Sequence, residues 1–299
     1  MDSTRRITDH QAYAHLVATM FFWSLNYILV ASYRDQIPPV MMSFFRWSFA
    51  LLMLLPFAAR ALVAEWPKIR SHWWQLFILG AFSCGLNSAF AFIGIHYTTV
   101  TSASLLSAMT PILTILLAVP LSHERMSPGR LAGVMTSFAG VVCIVTKGEL
   151  ATLLEFRLSA GDFSIILASA IWGVFTNLLR RWSAHLSQLA SLATMMIGGV
   201  ISLLPMLAIE AVVAKPVQWS SGLLVSLLVL AFFPSLLANL FWNRAVLAVG
   251  PGRASAFSYL LPLISIGFAV LVLGETLFAY HWLGAALIFL GITLVNRAR

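Results

Sequence analysis

Apolar runs of helix-spanning length, separated by short breaks that hold nearly all the charge, recur from one end of this chain to the other. They fall near 13–31, 39–58, 73–94, 99–120, 129–146, 160–179, 187–209, 221–243, 252–273 and 280–296. A helix needs roughly 20 mostly apolar residues to cross a hydrocarbon core of about 30 Å. The 299 residues are 60% apolar and 9% charged, against about a quarter charged in soluble domains. The expected fold is therefore an all-α integral membrane protein of ten transmembrane helices, with no room for a separate soluble domain. The amino-terminal apolar run continues past any plausible signal-peptide cleavage site, so it is read as a retained first helix. Cys84 and Cys143 lie inside apolar runs and are expected as small buried hydrophobes, with no disulfide and no metal site.

A net charge of +8 would point to nucleic acid in a soluble protein; here the basic residues report topology. With a cytoplasmic amino terminus, thirteen of them fall in inner segments (Arg5, Arg6, Arg60, Lys68, Arg70, Arg125, Arg130, Arg180, Arg181, Arg244, Arg253, Arg297 and Arg299). Four fall outside (Arg34, Lys147, Arg157 and Lys215), and Arg46 lies within the second span. The excess places both termini in the cytoplasm of a multi-pass protein of the cytoplasmic (inner) membrane.

The longest polar break, 147–162, sits at the middle of the chain. Sliding the second half back by 149 residues places Trp172 on Trp23 and Pro205 on Pro56. At an offset of 151, Ala103, Ser104, Ser107, Pro111, Ile115, Glu124, Gly133, Phe138 and Gly140 fall on Ala254, Ser255, Ser258, Pro262, Ile266, Glu275, Gly284, Phe289 and Gly291. The chain thus divides into repeats 1–149 and 150–299. Five is an odd number of spans, so a repeat starting inside is followed by one starting outside, and the halves are inverted. Inverted repeats exchange roles between two conformations, which gives alternating access to a central site.

The segments beginning at Pro111 and Pro262 share a pattern of Pro, twelve residues, Glu, eight residues, Gly, six residues, Gly. In this pattern, and over essentially its whole length, the chain resembles the EamA-type branch of the drug/metabolite transporter superfamily, whose members have two such five-helix repeats. The resemblance implies a transporter, and the aromatic-rich helices look most like those of exporters of amino acids, aromatic ones in particular.

Polar and aromatic residues near mid-depth are the candidates for contact with the solute, because in carriers of this kind it sits near the midplane between repeats. They are Trp23, Asn26 and Tyr27 on the first span, Ser83 and Asn87 on the third, and Ser104 and Ser107 on the fourth. The second half offers Trp172, Thr176, Asn177, Asn239, Trp242, Ser258 and Tyr259. An unpaired Asn in hydrocarbon is costly, so each faces a partner helix or a wet cavity. Trp23 and Trp172, at equivalent places in the halves, are expected to approach each other, either as cavity walls or as core packing. Headgroup anchors would sit nearer the span ends.

Arg46 lies eight residues beyond Pro38, about 12 Å along a helix. It is either a gate or counter-ion for a substrate carboxylate, or an arginine bonded to carbonyls at helix ends. Pro111 and Pro262 each remove a mid-helix hydrogen bond and mark hinges or static bends. Glu124 and Glu275 are read as helix caps or as proton-coupling groups, and His96 as a turn residue. Glycines 133, 140, 284 and 291 form a seven-residue stripe suited to close helix packing.

No metal-hydrolase or nucleophile constellation and no phosphate-binding loop is present in the sequence, so the chain reads as neither an enzyme nor an ATP-driven pump, with no cofactor. The inverted repeat favours a carrier over a channel. The substrate is a small molecule. Export of aromatic or other apolar amino acids is one reading, and efflux of drug-like or cationic solutes is the other. The surroundings are the lipid bilayer, and ten helices suffice to enclose a site in a monomer.

Overall fold

A computed structural model of the chain describes residues 7–98, 103, 106–122, 127–149, 159–183, 185–264, 267 and 277–297. Among these the regular structure is entirely helical. The helices are α1 (Asp9–Tyr33), α2 (Pro39–Ala64), a short α3 (Trp66–Ser71) and α4 (Trp73–Tyr97). They continue with α5 (Thr110–Ser122), α6 (Pro128–Val145), α7 (Ala160–Ser183) and α8 (Gln188–Val213). The last are α9 (Ser221–Val249), α10, which opens at Pro251–Ala256, and α11 (Ala279–Arg297). Seven of them, α2, α4, α6, α7, α8, α9 and α11, are long and apolar enough to cross a membrane. Their outward faces carry large apolar side chains such as Phe57, Val63, Val212 and Trp282, a surface that water disfavours and lipid accepts.

Local chemistry sets several helix starts. Thr8 and Gln11 form a reciprocal capping box ahead of α1. Ser159 and Asp162 do the same for α7, where the Ser159 amide donates to Asp162 at 2.7 Å and the Asp162 amide to the Ser159 hydroxyl at 3.2 Å. The start of α2 is capped from a distance. The amides of Val40 and Met41 donate to the Glu210 carboxylate at 2.9 and 2.7 Å, from the far end of α8. At the opposite end of the same pair, Glu65, just past α2, accepts the Ser187 amide at the start of α8 at 2.8 Å. Thus α2 and α8 lie antiparallel, each closed by a carboxylate from the other.

The remaining pairs follow the same plan. Gly133 of α6 meets Gly291 of α11, and Gly140 meets Gly284. A Cβ at any of the four would strike the backbone of the opposing helix, so the expected glycine stripe serves close antiparallel contact. α1 packs on α9 and α7 on α4, also antiparallel. The Thr19 hydroxyl donates to the Ala238 carbonyl at 3.3 Å in the first pair, and the Ser164 hydroxyl to the Phe90 carbonyl at 2.8 Å in the second.

α4 and α9 each contain a π-helical stretch, Ala81–Leu86 and Ala231–Leu237. The two stretches coincide at the 151-residue repeat offset. In α9 the cause is visible. Pro234 has no amide hydrogen to donate, and the Ser235 hydroxyl donates to the Leu230 carbonyl at 2.8 Å.

The structure corrects two expectations. Pro111 is the second residue of α5, after a turn at 108–109, so it removes no bond from a helix middle; proline is tolerated at such starts. Pro262 lies inside the helical run of α10, just after its 3-10 turn Phe257–Tyr259. His96 lies in the last helical turn of α4, which runs on to Tyr97, rather than in a turn.

Candidate functional site

Three tryptophans from three helices meet at the centre. Trp23 of α1 stands edge-on to Trp172 of α7, with centroids 5.1 Å apart and planes at 81°. Trp242 of α9 lies 5.1 Å from Trp23 and 5.6 Å from Trp172. These separations suit aromatic contact, so the rings touch instead of facing each other across open space. Phe175 adds a fourth ring, 4.9 Å from Trp172. The Trp23 indole donates to the Pro234 carbonyl at 3.2 Å, and the Asn239 amide reaches the same carbonyl at 3.2 Å and that of Ser235 at 2.9 Å. The π-helical stretch of α9 thus aims backbone acceptors at the aromatic cluster. Trp242 is wholly buried and its indole N–H has no hydrogen-bond partner among the described residues, nor has the buried Thr176 hydroxyl four residues beyond Trp172.

Arg46 forms a second node. It is 5% exposed, and its guanidinium donates to Asn26 Oδ1 at 3.2 Å and to Ser88 Oγ at 2.6 Å. Ser88 also bonds Ser43. The guanidinium carbon sits 4.8 Å from the ring centroids of both Trp47 and Phe92, within cation–π range. The acceptors are side-chain oxygens of neighbouring helices, not carbonyls at helix ends. No carboxylate stands among the partners of Arg46 in the described residues, and its Nε is unbonded. Among the described residues the charge is therefore held by dipoles and aromatic faces. Asn26 and Trp23 are three residues apart on one face of α1, about 4.5 Å along the axis, so the two nodes adjoin.

Other expected site residues serve helix contacts. The Asn87 amide donates to the Ala168 carbonyl on α7 at 2.8 Å. The Asn177 amide donates to Thr114 on α5 at 2.9 Å and to Gly173 at 2.8 Å, and the Ser83 hydroxyl to Leu79 at 2.8 Å. Tyr259 is fully buried with its hydroxyl unpartnered among the described residues, while Ser107 and Ser258 are half-buried. The side chain of Tyr27, and Ser104, Glu124 and Glu275 entirely, lie outside the described residues. Sequence reasoning missed Ser43 and Ser88. Ser43 was within reach, since it precedes Arg46 by three residues on the same helical face; Ser88 reaches it only through the fold.

The comparisons with known proteins agree with this architecture. The chain is 28% identical over 256 residues to the uncharacterized transporter YyaM of Bacillus subtilis, covering 82% of this chain and 81% of that one. It is 24% identical to a probable amino-acid metabolite efflux pump of Escherichia coli, covering 90% and 89% of the two chains. One crystal structure shares its fold with a TM-score of 0.74 at 19% identity, over 95% of each chain. The EamA-like transporter family matches residues 11–146 and 159–297, and the chain belongs to that family, a multi-pass membrane transporter.

Proposed function

We propose that this protein exports amino acids with aromatic or other apolar side chains by alternating access, at the seam where the two halves meet. The observation that carries this reading is the tryptophan cluster. Trp23 and Trp172 are repeat counterparts, and with Trp242 they form a packed apolar cluster beside backbone acceptors, whose flat faces open to a solute when the halves part. Such a surface suits an aromatic side chain. The adjoining Arg46 lacks a carboxylate partner among the described residues and suits the carboxylate of an amino acid. The probable efflux pump among its relatives lends support.

The working arrangement is ten spans, with α3 outside the count, as inverted repeats 1–149 and 150–299. The antiparallel run of α2 against its counterpart α8 supports the inversion. The breaks before Pro111 and Pro262 are the proposed hinges, and Arg46 the gate. Both termini face the cytoplasm, the membrane is the inner one, and a monomer suffices. Counterflow of labelled phenylalanine and tryptophan in proteoliposomes, with and without a pH gradient, tests the proposal. Saturable counterflow of these amino acids is expected; movement of a cationic dye with none of any amino acid would replace this reading with drug efflux.

A further inference from the structure

Away from the tryptophan cluster, a surface cleft of about 410 Å³ opens where α3 ends, α4 begins and α7 finishes, lined by His72, Trp74, Gln75, Arg181, Trp182 and His185. Its volume falls within the range of small-molecule sites. The rings of His72 and His185 lie 4.4 Å apart, and Trp74 stands edge-on to Trp182 at 5.3 Å. Lys68 reaches the His185 carbonyl at 3.4 Å. The acid nearby, Glu65, already accepts the Ser187 amide that opens α8. Neither Arg181 nor Lys68 has a carboxylate partner among the described residues. His185 Nε2 is buried without a hydrogen-bond partner among the described residues. The imidazole is held below its ordinary pKa by burial and then by His72 and Lys68, with Glu65 opposing. Excess positive potential therefore meets unspent donors in a formed cleft.

Trp66, Trp73 and Trp74 are exposed around this end of the bundle, as tryptophans at headgroup level are. We propose that this cleft binds a phosphate group, supplied by an anionic phospholipid headgroup or by free phosphate. Arg181 is the bidentate donor, His72, His185 and Gln75 are supplementary donors, and the Trp74–Trp182 pair carries the apolar part of the ligand.

The test uses the full chain purified in detergent. Native mass spectrometry compares retention of phosphatidylglycerol with phosphatidylcholine, and tryptophan fluorescence follows a titration with inorganic phosphate. Arg181→Gln should weaken phosphatidylglycerol retention about fivefold, as expected for one basic residue at an anionic lipid surface, and Arg181→Lys should restore most of it. Arg60→Gln removes an exposed charge outside the cleft and should leave retention unchanged. An Arg181-dependent response to inorganic phosphate, without preference for phosphatidylglycerol, would keep the phosphate site and name free phosphate as its source. Equal retention of the two lipids with no phosphate response would overturn the proposal. So would equal weakening by Arg60→Gln and Arg181→Gln, which would mean diffuse attraction.

Discussion

Arg46 and Met195 stand at equivalent positions of the two halves, at the same 149-residue offset that pairs Trp23 with Trp172. Both are buried, but their surroundings differ. Arg46 is met by Asn26, Ser88 and two aromatic faces, whereas Met195 belongs to the apolar core. The counterpart of Asn26 is Phe175, also buried. A shared backbone plan thus carries unlike chemistry. In the inverted arrangement proposed above, the position that holds a guanidinium in one half holds a thioether in the other. Symmetry of the scaffold permits two conformations; asymmetry of the side chains makes them inequivalent.

The sharpest way to break that comparison is to swap the two residues. Met195→Arg buries a charge without the acceptors that Arg46 enjoys, and a loss of about 3–5 kcal/mol, the range for an uncompensated buried charge, should appear as failure to accumulate folded protein. Arg46→Met should leave the fold intact, because an apolar replacement for a buried charge is often neutral or stabilising. It should lower transport of phenylalanine more than that of the corresponding amine, which lacks the carboxylate. Equal loss for both solutes would remove Arg46 from the site.

Trp172→Ala tests the part the halves share. Removing a large buried side chain costs about 3–5 kcal/mol, so transport is compared per folded molecule, where a loss of at least about tenfold is expected if the ring contributes 1.4 kcal/mol or more to the translocation barrier. Trp172→Phe should retain part of the activity. Full transport by the Ala variant would leave the cluster as packing alone.

The smallest effect concerns His185. Its folded pKa lies below the ordinary 6.5, chiefly through burial, so the folded chain binds that proton less readily than the unfolded chain. Stability then falls as pH drops through about 6.5 and is retained above it. Thermal unfolding at pH 7.5 and pH 5.5 should show this loss, and His185→Gln should reduce it.

The sequence made the repeat legible, and with it the residues that meet across the halves. The 149-residue offset pairs Trp23 with Trp172, and the seven-residue spacing marks the glycines at 133, 140, 284 and 291. Trp242 is aromatic and mid-span, but nothing in its sequence neighbourhood links it to that pair. The π-helical stretch of α4 leaves no readable mark, since an inserted residue changes hydrogen bonding without changing composition, whereas Pro234 marks that of α9. Nothing in the sequence marks Glu65 and Glu210 as helix caps, because their amide partners lie more than a hundred positions away. The start of α5 just before Pro111 is hidden for a related reason: a proline signals that a helix is interrupted, while tertiary packing decides on which side of it the helix begins.

Those carboxylates bear on how the molecule is made. When α2 is synthesised, the amides of Val40 and Met41 wait for an acceptor that arrives about 170 residues later, and Glu65 waits for a donor 122 residues ahead. The first half therefore enters the bilayer with an open helix end whose cap belongs to the second. Closing these ends of α2 and α8 is an assembly step that waits until α8 itself has been made.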